Sequence, residues 1–157
     1  MIKLIRYLQQ ISSFKFIALG TFSILLAPIV VNIISINSQE PPIINNKTLI
    51  KFIKALFICP LFETILFQAL PFVLIQKVVK HKYSLCIYLL ISTITFMLIH
   101  PFVINYMIFT FIAGFILAFL YYVATFKKES AIILVSLIHF SYNFITFILY
   151  VFQCFNI

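Results

Sequence analysis

The sequence predicts an all-α fold, namely a polytopic transmembrane helix bundle of about five spans. Hydrophobic residues make up 64% of the 157 residues, and charged residues make up only 9%. The apolar runs repeatedly reach the roughly 20 residues that a helix needs to cross a bilayer. Lysine and arginine gather at the ends of these runs, as is typical of membrane spans. We therefore expect an integral membrane protein.

The first predicted span covers residues 14–36, which would extend about 34 Å as a helix and cross a bilayer with some tilt. A short basic segment with Lys3, Arg6 and Lys15 accompanies its start. The run is too long for a signal peptide and has no small-residue cleavage pattern, so we expect it to be retained. Residues 37–48 are rich in Pro and Asn, which predicts an exposed loop.

The second predicted span covers residues 55–75 and contains Pro60 and Pro71. Prolines are tolerated in a membrane helix where neighbouring groups satisfy the carbonyls that they leave without a donor. We expect such neighbours here, and a kink next to Glu63. A basic turn at residues 76–82 follows this span.

The third and fourth spans come from residues 83–125, a stretch of 43 residues without Lys, Arg, Asp or Glu. It is about twice the length that one span needs, so it must form two helices. The break is predicted near His100, Pro101 and Asn105, because the residue before a proline is disfavoured in a helix and proline suits the start of the next one.

Residues 127–129 close the fourth span, and residues 131–153 form the fifth. With the N-terminus inside, eight Lys and Arg residues fall on the cytoplasmic side and three fall outside, as the positive-inside rule prefers. The three outside are Lys47, Lys51 and Lys54. The abundance of Ile, Asn, Lys and Phe is typical of an AT-rich bacterium. We expect a multi-pass protein of a bacterial cell membrane, with a cytoplasmic N-terminus and an outside C-terminus.

The net charge of +8 would suggest a nucleic-acid partner in a soluble chain. Here the cations lie at span ends, where they contact anionic lipid headgroups. The expected partner is therefore the lipid bilayer, and no nucleic acid is expected. The cysteines, Cys59, Cys86 and Cys154, lie singly in apolar runs without metal-binding spacing and are expected to be small buried side chains.

Glu63 is the most informative residue, because it is one of only three acidic residues and lies in the apolar run ALFICPLFETILFQALPFVLI. An ionisable group at the centre of a bilayer costs roughly 2.5 to 3.5 kcal/mol on insertion scales. Such groups therefore face a protein interior or a wet cavity, where they serve function. Glu63 is a candidate site residue on these grounds.

Two further polar positions lie on other predicted spans. His139 and Asn143 are four residues apart and share one helix face, and Phe96 and His100 have the same spacing. A single intramembrane histidine is more often a packing residue than a catalyst. Polar positions on three different spans favour a shared site.

The order of these positions resembles that of the CPBP family, the CAAX-processing and bacteriocin-processing (Abi) intramembrane proteases. The first motif of this family is Glu-Glu-x-x-x-Arg after a Pro and an apolar pair. Pro60 precedes Glu63 here, but Thr64 replaces the second Glu and Gln68 replaces the Arg. Because Thr64 and Gln68 are four residues apart, we expect them to hydrogen-bond to each other, which removes two charges from the membrane interior.

The other motifs of the family are intact. Phe96 and His100 match Phe-x-x-x-His, and His139 and Asn143 match His-x-x-x-Asn/Asp. Between them, the run FIAGFILAFLYY resembles the glycine-containing helix of the family, with Gly114 as a close-packing point.

The resemblance covers roughly residues 50–150 and implies one membrane unit with two parts. Residues 1–48 would supply the basic segment, the first span and the loop. Residues 49–157 would form the core that resembles an intramembrane protease.

The resemblance implies an intramembrane endopeptidase that cleaves a membrane-associated or lipidated peptide, or a membrane protein. Glu63 would be the general base on a water that His100 also holds, because an imidazole beside a buried carboxyl can share a proton with it. His139 and Asn143 would polarise the scissile carbonyl and stabilise its oxyanion. Supporting residues would be Thr64, Gln68 and Phe96.

Some members of the family have been called metalloproteases, and a zinc ion would here be held by Glu63, His100 and His139. The sequence has no His-Glu-x-x-His spacing, and Asn is a poor zinc ligand. The residues therefore favour a metal-free glutamate mechanism and no cofactor.

Two other functions stay open. The chain could be a catalytically inactive relative, such as a bacteriocin-immunity or scaffold membrane protein that keeps the fold after losing the charged pair. It could also be a small proton-linked carrier with Glu63 and the two histidines as a relay. Substrate cleavage, immunity and proton flux distinguish the three.

Overall fold

Every regular element in the computed structural model is helical within the residues it describes, which are 2–34, 54–79, 81–100 and 103–155. In chain order these helices are α1 (Ile2–Gln10), α2 (Ser13–Leu25), α3 (Ala27–Ile34), α4 (residues 54–78), α5 (His81–Leu98), α6 (Ile104–Ala124) and α7 (Ala131–Phe155). The predicted all-α fold is confirmed. The predicted loop at residues 37–48 lies outside the described residues.

The lengths of the apolar helices agree with a polytopic bundle. Among the described residues, three helices are long and apolar enough to cross a membrane: Leu56–Val78, Ile104–Ala124 and Ala131–Leu149. Two shorter apolar segments lie where the first and third spans were predicted: Ser13–Ile29, which comprises α2 and the start of α3, and Lys82–Leu98 within α5. Large apolar side chains point outwards along the bundle, as a lipid-facing surface requires. Examples are Phe62, Leu74, Ile91, Phe115 and Leu149.

The first predicted span is not one continuous helix. Leu26 separates α2 from α3, so the prediction of a single helix over residues 14–36 is wrong at this point. Pro28 explains the break, because it has no N–H to donate to the carbonyl of Ile24 and disfavours helical geometry in the residue before it. The helix then resumes with proline in its first turn.

Helix α4 alternates between two kinds of helical turn. The segments Lys54–Ile58 and Thr64–Ala69 are π-helical, whereas Cys59–Glu63 and Leu70–Val78 are α-helical. Each α-helical segment has a proline near its start, Pro60 in the first and Pro71 in the second. π-helical turns are rare and are often found at functional sites. Glu63 is the last residue before the second of them.

The carbonyl left without a donor by Pro71 is satisfied by a neighbouring helix. Pro71 cannot donate to the carbonyl of Phe67, four residues earlier. The Ser92 hydroxyl on α5 donates to this carbonyl instead. The expectation that neighbours satisfy such a carbonyl is therefore confirmed at Pro71.

Helices α5 and α6 run antiparallel through the centre of the bundle. The Tyr88 hydroxyl near the start of α5 donates to the Ala118 carbonyl on α6 at 3.0 Å, and Phe96 near its end packs against Gly114. Helix α2 packs on the same core at Gly20. A Cβ there would lie only 2.7 Å from Ile138 Cδ1 on α7. The N-terminal helix is therefore part of the common core.

Lys127, in the turn between α6 and α7, anchors α1. Its Nζ donates to the carbonyl oxygens of Leu8 at 3.3 Å, Gln9 at 3.2 Å and Ile11 at 2.7 Å. These carbonyls lie at the C-terminal end of α1, where a helix has no internal donors for its last oxygens and attracts cations. Helix α1 was not predicted, because the sequence indicated only a basic segment here.

A second contact joins the same two turns. The Ser13 hydroxyl donates to Glu129 Oε1 at 2.5 Å, and this hydrogen bond lowers the pKa of the exposed Glu129 carboxyl. The start of α2 is thereby held against the start of α7.

The contacts gather the basic residues at one end of the bundle, which we call the basic end. The Phe72 ring of α4 lies 5.7 Å from Tyr121 and 6.4 Å from Tyr122, so α4 and α6 finish close together. The basic end carries Lys3, Arg6, Lys15, Lys77, Lys82, Lys127 and Lys128, whereas Lys54 begins α4 at the opposite end. The grouping of cations in the predicted topology agrees with this arrangement.

Replacing Lys127 by Gln is expected to lower thermal stability and to expose α1 to protease, because three carbonyl oxygens lose their charged donor. Hydrogen bonds of charged groups contribute about 1.5 to 3 kcal/mol when buried, so for this part-exposed lysine we expect about 1 to 2 kcal/mol in total. Thermal unfolding in detergent and proteolysis before Ser13 measure the effect. Lys128→Gln makes the same charge change next to it and should leave both properties nearly unchanged. Equal effects of the two variants would contradict the anchoring role.

Candidate active site

A cavity of about 550 Å³ lies in the half of the bundle away from the basic end. The four predicted catalytic residues, Glu63, His100, His139 and Asn143, all line it. They come from α4, from the turn after α5 and from α7. The structure thus brings together side chains that are far apart in the sequence, and their catalytic role stays a prediction.

Glu63 and His139 face each other across the packing of α4 on α7. Glu63 Oε2 lies 3.7 Å from His139 Nε2, and the two side chains are 21% and 10% exposed. This separation is too long for a direct hydrogen bond but allows attraction if the imidazole is charged. Because both groups lie in apolar surroundings, a single proton on either group keeps the net charge of the pair low.

His100 has a fixed ring orientation. Its Nδ1 lies 2.7 Å from the carbonyl oxygen of Phe96, four residues earlier. A carbonyl can only accept, so Nδ1 carries the hydrogen, and the Nε2 of a neutral ring keeps its lone pair. His100 lies two residues beyond the end of α5 and still reaches the cavity. The predicted break between the third and fourth spans is confirmed, while Pro101 itself lies outside the described residues.

Phe96 packs against both imidazoles. The centroid of its ring lies 4.7 Å from that of His100 and 5.9 Å from that of His139. Gly114 makes room for it, because a Cβ at Gly114 would lie 3.0 Å from Phe96 Cδ1. The predicted close packing at Gly114 is confirmed. The phenylalanine of the Phe-x-x-x-His motif thus helps to set the positions of two site residues.

Asn143 lines the cavity one helical turn after His139, as its spacing predicted. Thr146 and Phe147 extend the same face of α7 along the cavity. A peptide carbonyl placed against this face would meet the imidazole and the amide together.

Thr64 and Gln68 do not form the predicted hydrogen bond. Both are fully buried, and among the described residues Thr64 Oγ1 and both amide atoms of Gln68 have no hydrogen-bond partner. The prediction assumed α-helical spacing, whereas Thr64–Ala69 is π-helical, which changes the register between the two side chains. Thr64 and Gln68 therefore leave unsatisfied polar atoms in the core of the described structure.

Sequence reasoning missed the aromatic wall of the cavity. A continuous row of aromatic rings beside His100 is formed by Tyr106, Phe109 and Tyr142. The distance between ring centroids is 5.8 Å from His100 to Tyr106, 6.0 Å from Tyr106 to Phe109 and 5.7 Å from Phe109 to Tyr142. With 20 Phe and eight Tyr in the chain, aromatic residues alone carry no signal. Helical spacing from the predicted site residues could have found Tyr142, three residues after His139.

The cysteines differ from expectation. Cys59 and Cys86 are exposed, so the prediction that they are small buried side chains is wrong for both. An apolar run in a membrane helix has a lipid-facing side as well as a core side, and composition does not distinguish them. Cys59 also lines the cavity, one turn before Glu63. The side chain of Cys154 lies outside the described residues.

The described residues do not fit a zinc ion. Among them, no group of three His, Cys, Asp or Glu side chains is arranged to hold a metal. Glu63, His100 and His139 line one cavity, but their side chains are not gathered around one point. A catalytic zinc site needs three such ligands converging on one point.

Comparison with known families identifies the chain. A family model described as "Type II CAAX prenyl endopeptidase Rce1-like" matches residues 45–145, which is more than half of the 157 residues. The chain belongs to the Rce1-like family. The resemblance to CAAX-processing proteases is thereby confirmed, and all four residues that were predicted to be catalytic lie within the matched region of this Rce1-like protein. Searches of the curated proteins and of the solved structures found no match.

Thr64→Val is expected to preserve or raise the thermal stability of this Rce1-like protein, because it removes a buried hydroxyl that lacks a partner. The gain should be up to about 1 kcal/mol, measured by thermal unfolding in detergent. Thr110→Val is the matched control, since the Thr110 hydroxyl donates to the Tyr106 carbonyl at 2.9 Å. The control should be the less stable of the two. A clear loss of stability in Thr64→Val would show that its hydroxyl is satisfied in the folded protein.

Gly114→Ala is expected to destabilise the protein by roughly 1 to 3 kcal/mol, because the new methyl group crowds Phe96. In a Phe96→Leu background the same change should cost less, since the smaller side chain has room to move. Thermal unfolding of the two single variants and the double variant measures the coupling. Additive effects would contradict the close packing of these residues.

Proposed function

We propose that this protein is an intramembrane endopeptidase that cleaves a membrane-associated or lipidated peptide with a water molecule activated by Glu63. One observation carries the proposal. Glu63, two imidazoles and the Asn143 amide line the same cavity, within the region that matches the Rce1-like family. Acid, base and amide donors around one cavity are what peptide hydrolysis by a carboxylate requires.

In this mechanism the water lies between Glu63 and His100. Both side chains line the cavity, and no hydrogen bond among the described residues joins them directly. The His100 Nε2 lone pair accepts a hydrogen bond from the water, because Nδ1 donates to Phe96. The Glu63 carboxylate takes one water proton as the oxygen attacks the peptide carbonyl carbon.

His139 and Asn143 receive the carbonyl oxygen. His139 Nε2 is too far from Glu63 for a strong hydrogen bond, so it can donate to an oxygen in the cavity. The Asn143 amide lies on the same helix face and supplies a second donor for the oxyanion. When the tetrahedral intermediate collapses, the C–N bond breaks and Glu63 returns its proton to the leaving amine.

The proposed reaction uses no metal, since the described side chains do not form a zinc site. The proposed location is a bacterial cell membrane, with the peptide substrate and the lipid bilayer as partners. A bacteriocin leader or another small membrane peptide is the proposed substrate class. If zinc takes part, a strong chelator will abolish cleavage, and zinc will restore it.

A second candidate is a catalytically inactive immunity or scaffold protein. The replacement of the Glu and Arg of the first motif by Thr64 and Gln68 favours it. A proton-linked carrier finds less support, because it needs a route to both sides of the membrane. Large side chains beyond the cavity, including Phe16 and Tyr88, are fully buried in close packing.

Glu63→Gln is expected to lower the cleavage rate by about 10²- to 10⁴-fold, because the amide cannot take a proton from water. Asn143→Ala should lower it by roughly 10²- to 10³-fold through loss of an oxyanion donor. The assay is cleavage of a quenched fluorescent lipidated peptide in proteoliposomes, with thermal unfolding as the folding check. Glu129→Gln removes an exposed carboxyl at the basic end and should keep full activity.

Three outcomes oppose the proposal. If the folded Glu63→Gln variant cleaves as fast as the wild type, Glu63 is not the base. If neither protein cleaves any peptide while both confer immunity to a bacteriocin, the second candidate is correct. If the wild type conducts protons in liposomes and Glu63→Gln does not, the carrier function is correct.

A further inference from the structure

The inner end of the cavity, which is the end nearest the basic end, is built mainly of hydrocarbon. Four side chains from α2, α5 and α6 form it, and we call them the cavity floor: Ile24, Phe96, Ala113 and Leu117. Each is at most 4% exposed, so the floor is also part of the packed core. Glu63 on α4 and His139 on α7 are the lining residues of their own helices that lie nearest this end. The floor therefore adjoins these two side chains.

The chemistry of the floor suits an apolar group and disfavours a polar one. Thr110 lines the cavity next to it, but the Thr110 hydroxyl already donates to the carbonyl oxygens of Tyr106 at 2.9 Å and Met107 at 3.1 Å. A polar group placed against the floor would give up its water without gaining a hydrogen bond, which costs free energy. An apolar group placed there gains free energy in proportion to the apolar area that it buries. The group that matches the floor is therefore apolar.

Ile24 reaches the floor from α2, which lies outside the region that matches the Rce1-like family, residues 45–145. One turn before Ile24, Gly20 brings α2 so close to α7 that a Cβ there would lie 2.7 Å from Ile138 Cδ1. The Thr21 hydroxyl donates to the Ile138 carbonyl at 3.5 Å. Because Ile138 directly precedes His139, α2 contacts α7 beside the site. Ile24 follows Gly20 on the same face of α2 and is held at this contact.

We propose that the floor is the subsite for an apolar side chain next to the cleaved bond, and that Ile24 of α2 sets the largest side chain that it accepts. The inference rests on the proposed peptidase function. A peptide carbonyl that lies against His139 has the floor beside it, so the neighbouring side chain of the substrate packs on hydrocarbon. Close-packed walls discriminate by size, because a larger side chain must displace core groups. The β-branched Ile24 side chain has few rotamers with which to move aside.

Two pairs of variants separate the floor from the rest of the core. Ile24→Val and Leu117→Ala enlarge the floor. Ile75→Val makes the first change in α4, and Leu120→Ala makes the second three residues further along α6. Ile75 and Leu120 are buried, and neither is among the residues that line the cavity. Thermal unfolding in detergent confirms that all four variants fold and gives the loss of stability within each pair.

The substrates are quenched fluorescent lipidated peptides in proteoliposomes, in which one position at a time is Ala, Val, Leu or Phe. Mass spectrometry identifies the cleaved bond, and we expect it to lie beside an apolar residue. Both floor variants should raise the ratio of kcat/KM for the Phe peptide to that for the Val peptide by about tenfold or more, since one methylene in an apolar pocket changes discrimination by roughly 10- to 200-fold. Ile75→Val and Leu120→Ala should keep the wild-type ratio.

Binding is measured separately from cleavage in the Glu63→Gln protein, where a ligand that binds the folded state raises the Tm. Peptides with the preferred side chain should raise the Tm most. Adding Ile24→Val to this protein should move the preference towards Phe.

Cleavage with the same size preference in the wild type and both floor variants would overturn the subsite and leave the peptidase function standing. An equal shift in the floor variants and their controls would also overturn it, because the effect would then come from loosened packing. A wild type that cleaves no peptide, together with a size-dependent rise in Tm that Ile24→Val alters, would reject the peptidase function and keep the floor as a peptide-binding surface. Neither cleavage nor binding would overturn both.

Discussion

A carboxyl group inside an apolar helix bundle has to be protonated or to find polar partners, and the centre of this protein is built around that need. Glu63 meets His139 across the contact of α4 with α7, and His100 reaches the same cavity from the end of α5. The histidines are in turn positioned by Phe96, which accepts from one with its carbonyl and contacts both with its ring. Gly114 permits that placement.

Helix α4, which carries the Glu63 carboxyl, is irregular on both sides of it. Two prolines and two π-helical turns interrupt its regular hydrogen bonding, and Ser92 has to satisfy one of the carbonyls that this leaves free. Directly after Glu63, the buried polar atoms of Thr64 and Gln68 have no partner among the described side chains. Functional sites often retain such unfavourable features, which the packing elsewhere has to offset.

The fold was largely predictable, because hydropathy and length determine where membrane helices can form. The structure departs from the predicted fold at three places: the break at Leu26, the π-helical turns of α4 and the anchoring of α1 by Lys127. Each depends on individual hydrogen bonds, which composition does not show. The grouping of site residues could be anticipated from motif order, since histidines and glutamates are rare in such a chain. The presence of Tyr106 and Phe109 in the cavity wall could not be anticipated, because aromatic residues are common throughout the chain.

Thr64 and Gln68, at the positions where the resemblance implies Glu and Arg, are compatible with the proposed role of Glu63. Removing two opposite charges together leaves the net charge around the carboxyl unchanged, whereas removing one alone would leave a buried charge without a partner. Neutral Thr64 and Gln68 also avoid the desolvation cost of an ion pair in apolar surroundings. Their unsatisfied polar atoms lower the stability of the fold instead. These atoms lie beside Glu63, and the contact between Glu63 and His139 is still present. The cost to stability at this position is therefore separate from the contact between Glu63 and His139.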